Sequence, residues 1–162
     1  MKRLITILLV SFMLVACEPP DVAKLMKPDK KVSPSKELET VKRNFNSEQL
    51  SRGAVLFQNN CAVCHGEQGE GAENWQKRDK DGKFPPPPLN GTGHTWHHPT
   101  KILKYTINNG TGKIGGNMPA FAGKISDTEI DDILIFIQSK WPVPLYDTWY
   151  KNNQRSIKEK NK

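Results

Sequence analysis

The five residues Cys61-Ala62-Val63-Cys64-His65 constrain this chain more than any other stretch. The two thiols stand three positions apart and so present one face. The imidazole follows at once. That is the attachment pattern of a c-type haem. Each sulfur can form a thioether with one vinyl group of the macrocycle, and His65 supplies the proximal nitrogen to iron. The surrounding residues, from about Ser47 to Trp141, then read as an enclosure for one haem and the source of its second axial ligand. Two other chemistries use a Cys-x-x-Cys pair. A zinc site needs two further ligands, here drawn from His65, His94, His97 or His98. A thioredoxin-type pair needs alternating strands and helices around it, and no such pattern is visible. A structural disulfide would leave the adjacent histidine without a role.

The amino terminus reads as an export signal. Met1-Lys2-Arg3 is basic, and Leu4 to Val15 is an apolar run too short to span a membrane, which needs ~20 residues. Leu14-Val15-Ala16-Cys17 resembles a bacterial lipobox. The resemblance implies cleavage after residue 16 and lipidation of Cys17, where several acyl chains make a stable anchor. Glu18 follows instead of the aspartate of an inner-membrane retention signal, which leans toward the outer membrane. The three cysteines are then divided between lipid and haem, and none is left for a disulfide. The expected location is the bacterial cell envelope, facing the periplasm.

The 162 residues carry a formal charge of +7. Loss of Lys2 and Arg3 leaves 22 basic residues against 17 acidic ones, or +5. No nucleic-acid motif accompanies that charge. Lys77, Arg78, Lys101, Lys104, Lys113 and Lys124 offer a basic docking surface for an acidic redox partner, or simply a solvated face.

Four segments follow from the pattern. Residues 1–16 are the signal. Residues 17–46 form a lipidated, flexible tether rich in Lys, Pro, Glu and Ser. Residues 47–142 form the domain, and 143–162 a carboxy-terminal extension whose end, from 151, lacks a folding pattern. Within the domain, Ser47 is a suitable cap for a first helix, with Leu50, Ala54, Phe57 and Cys61 on one face. Gly53 on that side allows either a close helix crossing or mere surface tolerance. Pro85 to Pro88 impose an extended path whose carbonyls are free to accept the Nδ1–H of His65. A second helix is expected over Pro99–Asn109. A third begins at the Ser126/Glu129 capping box, buries Ile130, Ile133, Leu134 and Ile137, and stops by Pro142.

For the sixth iron position the mature chain offers Met26, in the tether, and Met118, in a glycine-rich loop before Pro119. A thioether there raises the reduction potential relative to a second imidazole. His94, His97 and His98 compete for the same position, and together could hold copper.

These features in this order resemble class I monohaem cytochromes c over residues 48 to 141. Gly53 to Phe57 with Phe136 is similar to the family's crossing of first and last helices. Pro87-Pro88-Leu89-Asn90-Gly91 is similar to its Pro-x-Leu-x-Gly loop, and Asn117-Met118-Pro119 to its axial-methionine loop. The resemblance implies an all-α cytochrome c fold, three or more helices around one haem c held through Cys61 and Cys64. It also implies Pro87 as the carbonyl acceptor for His65, and Met118 as the sixth ligand. The charged stretch between Gly71 and Pro85, the Thr95–His98 run and the tail beyond Trp141 depart from the family. The expected function is one-electron transfer by a monomeric, membrane-anchored, non-enzymatic carrier in a respiratory chain. Two alternatives are a subunit of a terminal oxidase or reductase, and a sensor or peroxidase-like protein with a labile sixth ligand.

Overall fold

The computed structural model describes residues 40–160. The signal segment, Cys17, Met26 and most of the tether lie outside the described residues.

Helix α1 spans Ser47–Asn60 and runs into a single turn, α2, Ala62–His65. The cap is Asn46, one residue before the expected Ser47: its side chain accepts from the amides of Glu48 and Gln49. Asparagine caps as well as serine does. Helix α3 covers Thr100–Asn109, with Pro99 at the cap position. Helix α4 covers Asp127–Ser139, and the Ser126/Glu129 capping box forms in full. Pro142 follows α4 and opens a further helix, α5, Val143–Lys160. The stretch from 151, expected to lack structure, therefore continues a helix through Lys160. Its length comes from the anchorage of its first turns, described below. The only extended pairing among the described residues is one parallel bridge, Phe84 with Gly116. The domain is all-α, as expected.

The core forms where α1 crosses α4. Phe57, Ile130, Ile133 and Trp141 are each at most 2 % exposed, and the Phe57 and Phe136 rings lie 5.2 Å apart. Gly53 settles its own question here. A Cβ at that position would stand 2.0 Å from the Asp132 carbonyl oxygen. The glycine is what lets the two backbones approach.

A second apolar cluster ties the end of α4 to α5. Trp141, Tyr146 and Trp149 are buried, with the two indoles edge to face at 5.6 Å. Asn153 accepts from the Thr100 amide, and the Trp149 indole donates to the His98 carbonyl. Residues 40–46 were expected in the tether, but their contacts place them on this cluster. The Val41 amide donates to Asp147, Arg43 donates to the Trp141 carbonyl, and the Arg43 guanidinium lies over Tyr146 at 4.5 Å.

Candidate haem-attachment site

Helix α1 delivers Cys61 at its carboxy-terminal end, and the short α2 turn carries the rest of the motif. The Cys61 carbonyl accepts from the amides of both Cys64 and His65. That turn holds the three side chains as one unit. Both thiols are free: Cys61 is half-buried and Cys64 exposed. Burial, with Cys64 beside it, pushes the Cys61 thiol up to about 11, so it stays protonated at neutral pH.

His65 is buried, with Nδ1 2.8 Å from the Pro87 carbonyl oxygen. A carbonyl only accepts, so the proton sits on Nδ1 and the Nε2 lone pair is left to bind a metal. Burial lowers the pKa of His65, and the bond to Pro87 partly opposes it, so the ring is neutral at pH 7, as a ligand must be.

The proline run is itself fixed on the motif's loop. Ala72 donates to the Pro86 carbonyl, and Leu89 and Asn90 both donate to that of Gly69. Gly71, at φ +68°, would press a Cβ to 2.4 Å from the Pro88 nitrogen. No other residue allows so close a pass. On the far side, Thr95 donates its hydroxyl to the Pro88 carbonyl, and the Trp141 indole donates to that of Leu89. Pro87 therefore sits among residues, Pro86, Pro88 and Leu89, whose carbonyls are each bonded to another part of the domain.

Met118 lies half-buried in the loop after α3. Thr111 clamps its backbone from both sides: the Thr111 amide donates to the Met118 carbonyl, and the Met118 amide to the Thr111 hydroxyl, each at 3.0 Å. Sequence reasoning did not single out Thr111. Its place just after the Gly110 stop, at the mouth of a glycine-rich loop, was the available signal.

The three other histidines lie near one another, each against an aromatic ring. His94 stacks on Trp75 at 5.2 Å, His97 stacks on Trp96 at 3.7 Å, and the His94 and His98 rings meet edge to face at 5.4 Å. Burial lowers the pKa of both His94 and His98, with neighbouring imidazoles adding to it. Among the described residues no three His, Cys, Asp or Glu side chains come together to hold a metal ion. Neither the zinc alternative nor a copper site has a ligand set there. Of the six basic residues offered for docking, two have partners within the domain. Lys104 pairs with Asp131 at 2.9 Å, and Arg78 lies over the Phe84 ring at 4.2 Å.

The residues present fit a covalent haem. Two free thiols and an imidazole with one free nitrogen lie on adjoining turns. Large apolar side chains stand in solvent on the motif, on α3 and in the loop before Met118: Val63 is 86 % exposed, Tyr105 66 % and Ile114 75 %. A broad apolar macrocycle is the kind of body such side chains cover. No helix among the described residues is long and apolar enough to cross a membrane.

Residues 48–137 match the family model described as cytochrome C oxidase, cbb3-type, subunit III. No curated protein matches the chain.

Proposed function

For a chain that belongs to the cbb3-type cytochrome c oxidase subunit III family, we propose one-electron transfer on a single haem c with His65 and Met118 as axial ligands. Haem-based electron transfer is the chemistry of the cytochrome c domain, and domains of this type work outside the cytoplasm. The haem, when bound through Cys61 and Cys64, supplies an iron that alternates between ferric and ferrous. The chain's own residues orient and enclose it. The observation that carries the reading is the 2.8 Å contact between His65 Nδ1 and the Pro87 carbonyl. It sets the tautomer, aims the ring and raises the basicity of the ligating nitrogen. Thr111 supports the opposite side by fixing the Met118 backbone.

The family's description favours one setting over a free carrier: a subunit of a terminal oxidase. A lipid anchor at Cys17 would hold the domain at the membrane surface in that setting. Acidic partners would meet basic residues that form no ion pair among the described residues, such as Lys101 and Lys113. Co-purification in a salt-resistant complex distinguishes the subunit from the free carrier.

The test is the optical spectrum of the ferric holoprotein, for wild type and Met118→Ala. Methionine-ligated ferric haem c has a weak far-red charge-transfer band. We expect the wild type to show it and the variant to lose it. Its absence from the wild type would overturn the His/Met assignment. A sixth position held by histidine would then leave a carrier of lower potential. A position held by water would bring back the sensor and peroxidase-like readings.

A further inference from the structure

The charged excursion between Gly71 and Pro85, which departs from the family pattern, is an ordered loop. Asp79 closes it: its carboxylate accepts from the amides of Asp81 and Lys83, and its own amide donates to the Lys83 carbonyl. Arg78 crosses the loop to donate to the Gly82 carbonyl at 2.7 Å, and its guanidinium covers the Phe84 ring. The loop then meets the methionine loop. The Phe84 amide donates to the Gly115 carbonyl at 2.9 Å, and Phe84 bridges to Gly116. A Cβ on Gly115 would stand 2.8 Å from an Arg78 guanidinium nitrogen. Asn117, next to Met118, donates to the Asp79 carboxylate at a long 3.5 Å.

Three residues after Phe84 comes Pro87, whose carbonyl holds His65. Between them lie Pro85 and Pro86, each with φ fixed by its ring. One short, stiff segment therefore touches the methionine loop at one end and the proximal histidine at the other. We propose that residues 78–87 form a strap that positions both axial ligands, with Phe84 and Arg78 as positioning residues that keep the Met118 loop closed. This rests on the assignment of Met118 as the sixth ligand. Thr111 fixes the loop from the α3 side, and the strap fixes it from the other. Arg78 and Phe84 are both exposed, 39 % in the case of Phe84. Their removal leaves the buried core intact.

The measurement is the affinity of the ferric holoprotein for imidazole, which enters only when Met118 leaves. A cation–π contact at an exposed site is worth a few-fold in such an equilibrium, so Phe84→Ala and Arg78→Ala should each bind imidazole about three-fold more tightly than wild type. Phe84→Tyr, which keeps the ring, should bind as wild type does. Thermal midpoints of all three should match wild type. Unchanged imidazole affinity in both alanine variants, with the far-red band present in wild type and absent from Met118→Ala, overturns the strap and leaves the methionine assignment standing. A wild type without that band overturns both. Tighter binding in Phe84→Tyr, or affinity changes that merely follow a lowered thermal midpoint, would also defeat the strap, since neither traces to the ring contact.

Discussion

Asp132 lies 2 % exposed in the crossing of α1 and α4, and its partners are what make a carboxylate tolerable there. Arg52 reaches it with Nε at 2.7 Å, and Gln49 donates to its other oxygen at 3.2 Å. The hydrogen bond from Arg52 is the largest cause holding the Asp132 carboxyl below its ordinary value, against burial, which pushes it up. A carboxyl with a lowered folded-state pKa stabilises the domain above the unfolded value of about 3.9, and that contribution disappears as pH falls through the folded value. Arg52→Gln should therefore melt earlier than wild type at pH 7, and the gap should begin to narrow as pH falls below about 4, closing only beneath the lowered folded-state value of Asp132. Thermal melts of the two proteins across pH 3 to 7 check this; a constant gap would exclude the ion pair as its source. Nothing in the sequence joins Arg52 to Asp132, since the two are 80 positions apart and each sits among other charges. The His65 contact was legible because a motif and a proline run each demanded a partner of the other's kind.

Helices show the same division between local and distant causes. Caps are short-range chemistry, so Ser126 and Glu129 could be read directly, and Asn46 displaced Ser47 by a single position. Gly53 was legible as an oddity but not as a contact, because what it faces lies on another helix. Its role gives a signed prediction. An alanine in place of a helical glycine ordinarily gains about 1 kcal/mol. At Gly53 the new methyl meets backbone, so Gly53→Ala should instead lose about 3 kcal/mol through overpacking, read from urea unfolding. A neutral or stabilised variant would mean that α1 and α4 can separate without cost.

At the scale of the whole molecule, the domain is closed by parts that lie outside the family match. That match ends at residue 137, whereas Trp141, Tyr146 and Trp149 form a buried cluster beyond it. The polar composition after 151 hid the helix. Polar residues suffice there because the first turns of α5 are already held by the indoles and by Asn153. Trp149→Ala should destabilise the domain by about 3 kcal/mol or more, in the manner of other buried aromatic truncations. Ile157→Ala, at a side chain 49 % exposed, should change it by less than about 0.5 kcal/mol. Urea midpoints of both variants test whether α5 is part of the folding unit or an appendage. Negligible effects in both would make it an appendage.

The bond between the Val41 amide and Asp147 brings the incoming chain against the first turns of the outgoing helix. The chain thus enters beside the start of α5, whose remaining turns run on through Lys160. A unit of that kind can be spliced into another polypeptide, or joined in series with further copies, without threading anything through its interior. A host chain would have to span the part of α5 beyond Asp147, about 20 Å at ~1.5 Å per residue. Circular permutants that join the end of α5 to Val41 through a flexible linker, and open the ring at an exposed turn such as Gly123, would leave the contacts described above in place.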